Sequence, residues 1–353
     1  MHSSTGTGSL PYCRAHKNDT DTIIHLMPIK LLKTLAPLTL LSLATLVAAA
    51  AIGSVRINPL DVLEVLAGGG DDRARMLILE LRVPRALSAF ATGGLLAMAG
   101  ALMQVLLRNP LADPYILGVS GGAAVMALGA IMLGLSGLWL DASAFGGALF
   151  ATWLVYSVSR RGGGWNSGRL LLTGVVLAAG FGAVISLLLS LGTDTGLRSM
   201  IFWLLGDFSF ADGPLDEWIV LITAIIISLL LARPLNVLAR GEIHAMTLGV
   251  EVKRMRVVIY LMSALLTAVA VTTAGTIGFV GLLVPHLVRL TSGSDHRVVL
   301  PASALLGGIL LVAADTAART LAAPRQLPVG AITALLGVPL FLYLISRRTA
   351  ERG

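Results

Sequence analysis

Ten apolar runs, separated by polar punctuation, organise the chain. They fall at 31–52, 86–107, 115–135, 142–158, 170–191, 215–232, 257–274, 277–292, 298–318 and 328–346, the fourth and eighth being short. A helix of about 20 apolar residues crosses the hydrocarbon layer of a bilayer. Between the runs stand strings such as "GGGDDRAR", "RNPLADP", "SRRGGGWNSGR", "SGSDHR" and "AAPRQLP", whose glycines, prolines and charges break an apolar helix. Lipid cannot satisfy a bare backbone N–H or C=O, so each run is expected to close its own hydrogen bonds as helix. The pattern predicts an all-α integral membrane protein of about ten transmembrane helices over residues 29–348. Residues 1–28 read as a polar, disordered cytosolic tail with Met27 as an alternative start, and 349–353 as a short C-terminal tail.

Composition sharpens this picture. Of 353 residues, 56% are hydrophobic and 13% charged, with a mean hydropathy of +0.86. A soluble domain carries about 25% charged residues, so lipid is the expected solvent. The 39 glycines suit helices that approach closely, because association in lipid relies on packing. A single cysteine, Cys13, excludes an intramolecular disulfide and a cysteine metal cage. The net charge of +7 raises the question of nucleic acid, and its distribution answers it. With both termini cytosolic, 18 of the 26 Lys and Arg fall on the cytosolic side, against 7 of the 19 acids. That is the positive-inside pattern of a multi-pass membrane protein and requires no nucleic-acid partner.

This orientation gives the block "NVLARGEIHAMTLGVEVKRMR" an address in the cytosolic loop 233–256, between spans six and seven. Ala239–Leu248 is expected to form two or three helical turns ended by Gly249, with Glu242 near the start, where the helix dipole favours an acid. The block serves either as a solvated linker or as a docking knob for a cytosolic protein. A second pattern suggests duplication: "AGALMQVLLRNP" from Ala99 and "AGTIGFVGLLVP" from Ala274 share Ala-Gly, an apolar run and a proline at one offset. This sets span two against span seven, five spans on, and an odd shift implies an inverted repeat of the two halves.

Catalytic signatures are not found. The sequence holds no phosphate-binding G-x-x-x-x-G-K-[ST], no H-E-x-x-H and no G-x-S-x-G. The glycines of "GVSGGA" at 118–123 fit helix packing. Polar residues noted in the spans are Gln104, His286 and the pair Asp315/Arg319, four residues apart on one helical face. Ion-coupled carriers keep charged groups at this depth for function, and here they are sparse. An ion-driven secondary transporter is the alternative reading, and an intramembrane enzyme built on His286 and Asp315/Arg319 a further one. Around the mouth of span two, Arg82 and Arg85 of "LRVPRAL" either anchor a helix end or offer planar forks to carboxylates.

Several strings together carry a resemblance. "LRVPRALSAFATGGLLAMAGALMQVLLRNPLADPYILGVSGGAA", "GFVGLLVPHLVRL", "DHR", "LPASALLGG", "ADTAART" and "LPVGAITALLGVPLFLYLI", covering about residues 30–348, closely resemble the FecCD-type (type II) permeases of ABC importers for ferric siderophores, haem and cobalamin. The resemblance implies a homodimer around a central pathway in a bacterial inner membrane, with two cytosolic ABC ATPase subunits below. It also implies a periplasmic or lipid-anchored substrate-binding protein above. The chain itself would hold no metal or cofactor, since the ATPases bind ATP and magnesium. Carried over residue by residue, it implies ATPase coupling by Glu242, Ala245, Leu248 and Gly249, and docking of the binding protein by Arg82, Arg85 and Arg319. It further implies a cytosolic gate at Asn109, Leu111, Asn166 and Ser167. One departure stands out: before "LPVG" the family commonly carries Glu, where this chain has Arg325 and Gln326.

Overall fold

The computed structural model describes residues 12–53, 62, 64, 65, 67–160, 167–210 and 213–350. Among them the ordered elements are helices, and each of the ten apolar runs is found in one. In chain order they are α1 (Tyr12–Ala51), α2 (Asp72–Leu106), α3 (Val119–Met132), α4 (Leu138–Arg160), α5 (Ser167–Leu191), α6 (Asp194–Leu205) and α7 (Leu215–Leu230). There follow α8 (Ala232–Ala239), α9 (Glu242–Thr247), α10 (Val252–Ala274), α11 (Val280–Ser292), α12 (His296–Thr320) and α13 (Val329–Ala350).

Six helices, α1, α2, α4, α5, α10 and α12, are long and apolar enough to cross a membrane, and α7 with α8 makes a seventh bent by 65°. The bend has a local cause. Pro234 lies in the first turn of α8, where a missing N–H breaks no helical bond, so a helix restarts there in a new direction. The remaining spans, α3, α11 and α13, are shorter apolar helices.

The structure departs from the sequence reading at four points. The fourth span is not short: α4 runs 23 residues, and the short ones are α3 and α11 at 14 and 13. α6 was not anticipated; at 12 residues it is too short to register as a span. α1 begins at Tyr12, inside the stretch read as a disordered tail, where no glycine interrupts the chain from Ser9 to Ile52. The string match of Ala99 with Ala274 does not correspond to the architecture: Ala99 lies within α2, whereas Ala274 closes α10. The repeat itself resides in element order. A long, a short and a long helix (α2 to α4) recur as α10 to α12, starting five spans later.

α2 is the hub, with 94% of its apolar window buried, against 11% for α5. Its small residues make this possible. At Gly100 a Cβ would overlap the carbonyl of Gly281 on α11, and at Gly93 that of Gly307 on α12. Gly122 of α3 meets Gly147 of α4 in the same way. Such backbone-to-backbone approach is how helices gain dispersion contact in lipid.

Candidate functional site

At one end of the molecule the three predicted docking arginines line a single cleft of about 440 Å³, together with Glu80, Ser209 and Gln326. Arg82 is 6% exposed, and its Nη1 donates to the carbonyls of Ala50 and Ala51 at 2.8 and 2.9 Å. Those carbonyls close α1 and have no acceptor role within the helix, so the guanidinium caps it.

Arg85 reaches across to α12. Its Nε and Nη2 donate to Oδ1 of Asp315 at 3.1 and 2.8 Å, while Arg319 Nε donates to Oδ2 at 2.9 Å. The pair expected from i,i+4 spacing is therefore formed, and Arg85 joins it. Asp315 is only 1% exposed, and two guanidinium forks compensate its desolvation.

Asp207, just after α6, extends the network. It accepts from Arg85 Nη2 at 3.3 Å and from Gln326 Nε2 at 2.6 Å. The departure at 326 thus has a physical reading: an amide donates to Asp207, where a second carboxylate would repel it. Asp207 was missed by the sequence reading, which saw no element between spans five and six.

At the other end lies the loop with α9. Two glycines frame this helix, Gly241 at φ 132° and Gly249 at φ 77°, backbone regions that L side chains rarely enter. The expected continuous helix over 239–248 is broken at Arg240–Gly241. Glu242 stands first in α9, as expected, and pairs with Arg256 of α10 and, at 3.6 Å, with Arg108 after α2. Ala245 is buried beneath the helix.

The outward face consists of Ile243, Met246 and Leu248, all large, apolar and exposed, alongside the exposed Gly249. Ile243 and Met246 were not among the coupling residues expected from the sequence. The signal was present as an i,i+3 apolar pair in an otherwise polar loop.

Nearby, the turn after α2 is held by Asn109, whose Oδ1 accepts from Leu111 N at 2.9 Å. The Leu111 side chain is exposed. Ser167 opens α5, and Asn166 lies outside the described residues. Tyr115 ties this turn to the segment before α11, donating from its hydroxyl to Ile277 O and accepting from Ile277 N, both at 3.0 Å. His286 is buried beside Pro285 in α11. Gln104 of α2 accepts from Arg289 of α11 and donates to Leu282 O at 3.1 Å. Among the described residues, no three His, Cys, Asp or Glu converge in a way that could hold a metal ion.

The sequence profile of the FecCD transport family matches residues 40–347. The chain belongs to that family. Relatives include a cobalamin import system permease protein, BtuC, of Halobacterium salinarum, 43% identical over 79% of this chain and 76% of that one. A hemin transport system permease protein, HmuU, of Yersinia pestis is 42% identical over 78% and 84%. A vitamin B12 import system permease protein, BtuC, of Klebsiella pneumoniae is 36% identical over 92% and 97%. Among solved structures, a metal-chelate type ABC transporter in an inward-facing conformation superposes with a TM-score of 0.78, at 33% identity, over 89% of this chain and 99% of that one. As a FecCD member the chain is a multi-pass membrane permease of an ABC importer, a class that works with an ATPase and a substrate-binding protein.

Proposed function

We propose that the chain forms, as a homodimer, the translocation pathway of an ATP-driven importer for a bulky metal–chelate ligand: a ferric siderophore, haem or cobalamin. Haem and cobalamin are the ligands named for its relatives. It sits in a bacterial inner membrane with both termini in the cytosol, as the distribution of its arginines and lysines supports. Two cytosolic ATPases bind ATP and magnesium and do the hydrolysis; the permease makes no covalent change in its cargo.

The observation that carries this reading is α9. A six-residue helix offers Ile243, Met246 and Leu248 to water, and its other side is locked to α10 and the end of α2 through Glu242, Arg256 and Arg108. An apolar face held rigidly on an exposed loop suits a partner's groove. A push on it reaches α10 and α2 through the Glu242 pairs.

At the far end the cleft of Arg82, Arg85 and Arg319 docks acidic residues of a binding protein. Cargo released there meets helices with few fixed charges. The gate at the inner end is formed by Asn109, Leu111 and Ser167.

The deciding experiment is uptake in proteoliposomes carrying permease, ATPase and binding protein. Uptake should require ATP and survive an uncoupler. Accumulation without ATPase that collapses with the uncoupler would transfer the chain to the ion-driven class.

A further inference from the structure

A second cleft, of about 500 Å³, opens between the end of α2, α8 and the turn from α11 to α12. Its walls carry three arginines, Arg108, Arg240 and Arg289, against one acid, Asp295. That acid is already engaged: its Oδ1 accepts from Arg297 N at 3.0 Å, capping α12, and from Asn236 Nδ2 at 2.8 Å.

Arg289 is the telling member. Its guanidinium donates to Gln104 and, at 3.4 Å, to Ala101 O, both neutral acceptors. Among the described residues no carboxylate lies within 4.0 Å of it. Arg240 likewise forms no ion pair there, and Arg108 has only the 3.6 Å contact to Glu242. A half-buried cation without a counter-charge is costly unless something supplies one.

The wall holds a second unfinished group. His296 is 2% exposed, and its Nδ1 lies 2.7 Å from Asn236 Oδ1. That oxygen also accepts from His296 N, so it faces the ring as an acceptor. Nδ1 therefore carries the proton, and the buried Nε2 is left as an acceptor without a partner, so a phosphate O–H, and no bare phosphate oxygen, could bond it.

We propose that this cleft binds a phosphate group, gripped by Arg108, Arg240 and Arg289. Guanidinium forks match phosphate oxygens in pairs, and the anion supplies the charge that Arg289 lacks. The group comes either from an anionic lipid headgroup, since basic pockets at helix ends take such heads, or from free phosphate. The site stands beside the transport reading and does not depend on it.

The full chain, purified and delipidated, is titrated with inorganic phosphate against chloride at equal ionic strength. In a second arm it is placed in nanodiscs of phosphatidylglycerol or of phosphatidylcholine, and retained lipid is read by native mass spectrometry. Saturable binding in either arm is expected, and the arm that responds names the source. Affinity or retention should fall at least tenfold in Arg240→Gln/Arg289→Gln. The single variant Arg240→Gln, at an exposed position that spares the fold, should lose severalfold, while Arg160→Gln changes nothing. No saturable binding in either arm, or binding unaltered by the Arg240 and Arg289 changes, overturns the site. Unaltered anion binding together with loss of ATPase co-purification in the same variants would overturn it in favour of a carboxylate of the partner protein.

Discussion

At the scale of single residues, the outer arginines serve the fold before they serve any partner. Asp315 has two guanidinium partners and almost no water, so removing it leaves Arg319 without a counter-charge and Arg85 with only its 3.3 Å contact to Asp207. Breaking a buried pair from one side costs about 3–5 kcal/mol. Asp315→Ala should therefore lower the thermal stability of the detergent-solubilised permease strongly. Asp315→Asn, which keeps acceptor and shape, should lower it less, as a melting curve followed by intrinsic fluorescence will show. Docking is tested more gently. Arg319→Gln keeps an amide donor beside Asp315 but removes a charge from the cleft mouth. It should reduce stimulation of the ATPase by the binding protein about tenfold, leaving basal hydrolysis near wild type and lowering the melting temperature less than Asp315→Ala does, since Arg85 still pairs with Asp315. Unreduced stimulation would remove Arg319 from the docking surface.

At the scale of elements, two helices carry testable claims. α9 presents its apolar face from a loop, so Ile243→Glu/Met246→Glu should not disturb the membrane-embedded core. The same change should weaken ATPase binding by about 2–4 kcal/mol, the range for losing anchor residues at an interface. Co-purification of the ATPase with the variant, against a monodisperse permease peak, reads this directly. α2 is the opposite case. Gly100 faces the backbone of Gly281, and no rotamer of a larger residue avoids that carbonyl. Gly100→Leu should abolish recovery of folded protein from membranes, whereas Gly129→Leu, with open space around it, should be tolerated.

The contrast also explains what the sequence could reveal. Spans such as α5 and α12 announce themselves by length and hydropathy, and α9 by its flanking glycines. α6 was hidden because it is too short to cross a bilayer and so leaves no twenty-residue signature. The Arg85–Asp207–Asp315–Arg319 network was legible only as far as the i,i+4 pair Asp315–Arg319, since Asp207 and Arg85 join it by tertiary packing that no spacing encodes. Arg82 could be recognised as a helix-end residue, but the helix it caps lies 31 positions upstream, beyond any local pattern.

At the scale of the whole molecule, the account depends on which end faces which compartment, and the two ends differ sharply. One holds the cleft of Arg82, Arg85 and Arg319, the other α9 and the three-arginine cleft. The positive-inside rule, which counts residues and senses no fold, predicts that α9 faces the cytosol. A labelling experiment measures the same thing independently. The only native thiol, Cys13, is replaced by serine. Single cysteines are then introduced at Met246 on α9 and at Leu321 beyond α12, both exposed side chains. In intact spheroplasts a membrane-impermeant maleimide should label Leu321→Cys and spare Met246→Cys, and permeabilisation should bring Met246→Cys to the same level. Uptake by both variants checks that the labelled protein is the working one. The reverse pattern would put α9 out of reach of any cytosolic ATPase. The apolar face of Ile243, Met246 and Leu248 would then have to meet a partner outside the cell, and the coupling of hydrolysis to transport through this loop would be ruled out.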